Sequence, residues 1–165
     1  MMNNSQLSYN RNIQEFNAKI KNSYVHRVLF KEDNYPTFNK ASIPFEFLYC
    51  LDVIFITEKG NYRITTSQTE DSLDTFWIDA IEEIDKDLKV YEINSKVIDI
   101  FVENSVYNYP FKLVFEFEHN TLILYSAEIY DNAEKHLEYR INDEMIIVFI
   151  NKEDAFKFEK EINSG

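Results

Sequence analysis

Three histidines, one cysteine and 29 carboxylates are the groups in this 165-residue chain that could hold a metal, attack an electrophile or carry a proton. Their spacing favours none of these roles. His26, His119 and His136 are scattered, and no pair stands three or four residues apart, the separation that sets two imidazoles on one helical face. With a single cysteine beside them, no zinc site is expected. The acidic residues around Glu70 and Asp71 lack the glycine-bearing loop and spaced carboxylates of a calcium-binding EF-hand. Cys50 lies in the apolar run Phe47-Leu-Tyr-Cys-Leu51, where a thiol serves as a small buried hydrophobe. The hydroxyls of Ile64-Thr-Thr-Ser67 have no glycine-flanked elbow to present them as nucleophiles.

Carboxylates need more care, because a chain this acidic pairs them by chance. Glu116 and Glu118 stand two apart on one strand face, which reads as solvent exposure. Asp52 is different, being the one polar residue between Phe47 and Ile56. Two readings stay open for it. A buried carboxylate there needs a partner or a raised pKa, the route by which functional acids arise; alternatively it marks a bend between two shorter strands.

Glycine is nearly absent. Gly60 is the only one before the last residue, so neither a dinucleotide fingerprint nor a P-loop can be written, and no cofactor is expected. The shortage accompanies 17 Asn and 19 Ile, the codon bias of an AT-rich bacterial genome. A net charge of −12 repels phosphate backbones and anionic membranes, which leaves nucleic acid and lipid surfaces as poor partners and a basic protein as a good one. The first dozen residues lack the apolar core of a signal peptide, and the longest apolar run, Met145 to Ile150, is too short to span a bilayer. A cytoplasmic protein is the expectation.

The elements that must position these groups read as one domain over residues 1–165, since no Pro/Gly/Ser-rich stretch divides it. Residues 1–40 carry 6 Lys or Arg against 3 Asp or Glu, and residues 41–165 carry 11 against 26, so a weakly basic arm of helix and strand meets an acidic body. Helical spacing of Ile13, Phe16 and Ile20 predicts a helix over Asn10 to Asn22, followed by a strand from Tyr24 to Phe30. Two hairpins are predicted. One joins Phe45–Thr57 to Tyr62–Ser67 through Glu58-Lys-Gly-Asn61; the other joins Phe111–Glu118 to Thr121–Tyr130 across His119-Asn120, placing Glu116 opposite Ile123 and Val114 opposite Tyr125. The face of this second hairpin away from Phe115 and Phe117 is mixed, so either a helix of the same chain or a partner protein should cover it. A displacement of 60 residues superimposes the two hairpins, which fits either a duplicated unit or the general likeness of half-buried hairpins.

Between the hairpins, Leu73, Phe76, Trp77, Ala80, Ile81, Ile84 and Leu88 fall on one helical stripe, with Ile78 the single apolar residue off it. A central helix is predicted there. Strands at Val97–Tyr107 and Met145–Ile150 follow, and Phe156, Phe158 and Ile162 mark a closing helix over Lys152 to Ile162. The expected class is α+β: a mainly antiparallel sheet built from hairpins, with N-terminal, central and C-terminal helices packed against it.

The central segment is also the strongest charge feature. Glu70, Asp71, Asp74, Asp79, Glu82, Glu83, Asp85 and Asp87 stand against Lys86 alone. On a helix these carboxylates face outward, either as a solvated face or as a surface for a basic protein. In layout the chain resembles the small acidic immunity proteins that bacteria keep beside polymorphic or contact-delivered toxins. The resemblance rests on a single α+β domain, the segment Asp71 to Ile84, the hairpin Phe111 to Tyr130, and the ending Asp143-Glu-Met-Ile-Ile-Val-Phe149 before a helix. It implies a non-enzymatic inhibitor that binds a toxin without cofactor or turnover, with Glu70, Asp71, Asp74, Asp79, Glu82 and Glu83 steering association and Trp77 supplying a hot spot only if exposed. Two alternatives belong to other classes: a self-associating scaffold domain pairing through its sheet, and a small hydrolase-like enzyme with a carboxylate site that includes Asp52.

Overall fold

In the computed structural model, which describes residues 1–131 and 137–164, strand pairing dominates because β-branched and aromatic residues recur throughout the chain. Helix α1 (Asn4–Ile20) is followed by β1 (Tyr24–Glu32), a short 3₁₀ turn (Lys40–Ser42), β2 (Leu48–Thr57), β3 (Gly60–Gln68), β4 (Asp74–Ile81), β5 (Lys89–Asn104), β6 (Pro110–Phe117), β7 (Thr121–Asp131), β8 (Leu137–Phe149) and helix α2 (Lys152–Ser164). The α+β class is as expected. His136 lies outside the described residues.

All pairings are antiparallel, and they form two four-stranded meanders, β1 to β4 and β5 to β8. The meanders join through β1 and β5, and contact between β2 and β8 closes β1, β5, β6, β7, β8 and β2 into a ring from which the β3–β4 hairpin extends. One face of the sheet, with Val28, Phe55, Leu113, Phe115, Leu122 and Leu124 among its residues, packs on Ile13, Phe16 and Ile20 of α1. The other face carries Tyr49, Ile123, Tyr125, Ile147 and Phe149, and it is covered by Phe38, Phe45 and Phe47 together with Ala155 and Phe158 of α2. The mixed face of the second hairpin is thus covered by a helix of the same chain.

Three expectations need correction. The central segment is not a helix but strand β4, followed by an irregular stretch to residue 88. Ile78 decides the matter: off the helical stripe, it is 7% exposed beside Phe76 in the core, while Ala80 and Ile84, on the stripe, are exposed. A strand buries alternate residues, and pairing with β3 along its full length outweighs the 3.6-residue pattern. The second hairpin turns one residue earlier than predicted, through Glu118 and His119, with the Phe117 amide donating to the Asn120 carbonyl at 2.8 Å. Glu116 therefore faces Thr121, and Val114 faces Ile123. That is a slip of two residues, which leaves every side chain on its predicted face. In α2, Phe156 does not join Phe158 in the core, since residues two apart on a helix point in nearly opposite directions.

The two hairpins keep one register under the 60-residue displacement: Val53 pairs with Ile64 as Leu113 pairs with Leu124. In the first, Gly60 adopts φ +132°, a conformation side chains rarely take.

Helix α1 begins earlier than its apolar spacing indicates because Asn3 and Gln6 form a capping box, each side chain accepting from the other's amide. It lies along the seam between the outer strand β4 and the turn that joins β5 to β6. On the β4 side, the Asn12 side chain accepts from the Ile78 amide at 2.9 Å and donates to the Ile78 carbonyl at 3.0 Å, in the manner of a neighbouring strand. At the β5–β6 turn, Gln6 donates to the Tyr107 carbonyl and Asn10 to the Asn108 carbonyl.

Candidate functional site

Strand β2 changes neighbours along its length, and that change opens a cleft. Leu48 to Cys50 pair with β8, whereas Val53 to Thr57 pair with β3. Asp52 stands at the fork, half-buried, opposite Lys31 of β1. Its place at a change of strand partner accounts for a polar residue in an apolar run, although β2 runs unbroken through it and does not divide into two shorter strands. A cleft of about 580 Å³ occupies the fork, and Asp52, Asp74, Glu144, Leu51, Thr65 and Thr66 are among its lining residues.

The wall opposite is a bulge in β8. Ser126 of β7 pairs with Ile146, but the next residue, Ala127, pairs with Ile141, so residues 142–145 have no partner on β7. Asn142 takes the left-handed conformation, φ +53°, where Asn is among the better tolerated residues. Its side chain is buried and donates to the Pro110 carbonyl at 3.2 Å, which also accepts from Thr75 at 2.5 Å and Ser126 at 3.5 Å. This buried knot ties the bulge to β4, β6 and β7. Thr66 of β3 donates to the Glu144 carbonyl and fixes the other side.

Held this way, the bulge brings Asp143 and Glu144 towards Asp74 and Glu128. Partial burial, then the charges of Asp143 and Glu144, push the Asp74 carboxyl above its ordinary pKa. Burial also raises Glu128, with the same two charges adding to it, although a hydrogen bond from Tyr130 opposes the shift. The Tyr130 hydroxyl reaches both Glu128 and Asp143, but its one proton can serve only one of them at a time. Arg140 stacks 4.2 Å from the Tyr130 ring centroid and spends its bonds on Glu138. Lys31, on the cleft rim, pairs with Asp85 at 3.7 Å.

The six residues expected to form one acidic face are dispersed. Glu70 and Asp71 occupy the β3–β4 turn, Asp74 and Asp79 lie on opposite faces of β4, and Glu82 and Glu83 follow that strand. Asp71 is engaged within the chain: Tyr109 donates to it at 2.5 Å and Asn3 at 3.2 Å, and these bonds hold its carboxyl below the usual range. Asp79 pairs with Arg63 at 3.5 Å and accepts from the Trp77 indole at 2.9 Å. Trp77 is half-buried with its ring against Tyr9. Only Asp74 of the six reaches the cleft. Sequence reasoning passed over Glu128, Asp143 and Glu144; the dense Asn142-Asp-Glu interruption of an apolar strand was the available signal.

Chemically, the cleft offers one carboxylate with elevated proton affinity, Asp74, and no cysteine or histidine among its lining residues. Among the described residues no group of three or more His, Cys, Asp or Glu is arranged to hold a metal ion. No described helix is long and apolar enough to cross a membrane. In comparisons with known proteins, the chain matches no family model, no curated protein and no solved structure.

Proposed function

We propose that this chain is a non-enzymatic protein-binding domain, an immunity protein of the kind its layout resembles, which takes a basic toxin as its partner at the forked cleft. The observation that supports this reading is the crowding of Asp74, Glu128, Asp143 and Glu144 around a bulge that the surrounding hydrogen bonds hold in place. Like charges held together weaken the free protein, and a fold that keeps them is trading stability for another property. An arriving Lys or Arg side chain removes that repulsion. Leu51, exposed on the cleft wall, supplies apolar contact in the role that Trp77, engaged with Tyr9 and Asp79, does not fill.

The test begins with the product of the adjacent gene, because immunity genes usually sit beside their toxin. Co-expression with this chain should rescue growth. Immobilised partner should then bind Asp74→Lys/Glu144→Lys at least about tenfold more slowly than the unaltered chain, with a flatter salt dependence, while thermal melts show an intact fold. An unchanged association rate would place the binding surface elsewhere.

A further inference from the structure

A second cleft, of about 460 Å³, lies where the segment after the 3₁₀ turn meets the end of β8 and the start of α2. Its lining includes Ile43, Phe45, Phe47, Leu48 and Val148, all buried, with Ile150 half-open towards solvent. The size and apolar floor suit a small organic molecule.

Two lysines from different parts of the chain stand on its rim. Lys40 comes from the 3₁₀ turn, with its ammonium 5.0 Å from the Phe47 ring centroid, and Lys89 opens β5. Neither is ion-paired among the described residues. Both act on the same buried thiol: burial pushes Cys50 up, and Glu32 adds to that, whereas Lys40 and Lys89 each pull it down. Both side chains line the one cleft. Glu46 and Asp154 also reach the rim, but Glu46 is exposed between buried Phe45 and Phe47, and Asp154 lies in the first turn of α2, where the helix dipole favours it. None of these four rim charges is ion-paired among the described residues, and Lys40 is the one placed against the apolar floor, over the Phe47 ring.

We propose that this cleft binds an organic carboxylate with an apolar body, its tail on Phe45, Phe47 and Ile150 and its head between Lys40 and Lys89. The site is separate from the acidic fork and does not depend on the protein-binding reading. Such a ligand bridges the 40–48 segment and the start of α2, so occupancy stiffens the cover of one sheet face.

The probe is decanoate below its micellar concentration, titrated calorimetrically into the full chain beside decylamine and decanol. Decanoate should bind at least tenfold more tightly than either. Lys40→Gln/Lys89→Gln should weaken decanoate at least tenfold and leave decanol unchanged. Ala41→Trp, at an exposed lining position, should block decanoate with both lysines intact. Decylamine or decanol binding as well as decanoate would overturn the proposal, as would full decanoate affinity in the double-lysine variant or in Ala41→Trp.

Discussion

Phe158 and Phe156 sit two residues apart on α2 and should respond to truncation in opposite ways. Phe158 is 0% exposed, and its ring meets those of Tyr125 at 4.8 Å, Phe149 at 5.4 Å, Tyr139 at 5.5 Å and Phe45 at 5.8 Å between centroids. Those neighbours belong to β7, β8 and the segment before β2, so they cannot collapse into the space that alanine leaves. Phe158→Ala should cost about 3 to 5 kcal/mol. Phe156 is 58% exposed, with the Lys160 ammonium 4.5 Å from its ring centroid. Phe156→Ala gives up little buried area and an exposed cation–π contact worth about 0.5 to 1 kcal/mol. Urea unfolding followed by Trp77 fluorescence and far-ultraviolet circular dichroism separates the two. With a slope of about 2 kcal/mol per molar urea, Phe158→Ala should lower the midpoint by about 1.5 to 2.5 M and Phe156→Ala by under about 0.5 M. Equal midpoints for the two variants would refute the account of how α2 covers the sheet.

The bulge carboxylates and the α1 latch make opposite pH predictions. Because the folded state raises the pKa of Asp74, its ionisation weakens the fold fully above that raised value, and the penalty disappears as pH falls below the ordinary 3.8. Asp74→Asn should accordingly raise the melting temperature at pH 7 by about 1 to 2 °C, from about 0.5 kcal/mol for a partly exposed charge, and the gain should shrink towards pH 4. A gain that grows on acidification would contradict the crowding. Asp71 has the reverse sign: Tyr109 and Asn3 lower its pKa, so the latch is complete above the ordinary Asp value and is lost as pH falls through the lowered one. Tyr109→Phe should melt earlier at pH 7 and lose less on acidification than the unaltered chain, in thermal scans between pH 7 and 3. Parallel acid profiles would show that the Tyr109 hydroxyl does not act through Asp71.

Much of the sheet was legible because alternation survives small errors of register. Phe115, Phe117, Leu122 and Leu124 are buried as their spacing indicates, even though the hairpin turns one residue early. Segment 73–88 reads as a helix because every apolar residue but Ile78 fits the helical stripe, and a single position cannot outvote a stripe until β3 is seen beside it. The start of α1 was legible in principle, in Asn3 and Gln6, but as capping chemistry and not as hydrophobic spacing. The fork was not. Asp52, Asp74 and Glu144 meet only because β2 exchanges β8 for β3 and β8 bulges past Ser126, and both events depend on strands far apart in the chain. Asp52 alone among them was conspicuous, since an apolar run makes any charge visible.

The seam filled by α1 has a consequence for the order in which the molecule can be made. The helix leaves the ribosome before both of its anchors: Ile78, to which Asn12 bonds, lies 66 residues further on, and Tyr107, to which Gln6 bonds, lies 101 further on. Until β4 is made, α1 has neither wall of its seam, and a helix of 17 residues is marginal alone. Strand β4 emerges before β5, so for an interval its outer edge is held from one side at most. An element translated ahead of its anchors is thus among the last to be locked in place, and loop closure over long separations sets the pace of that step.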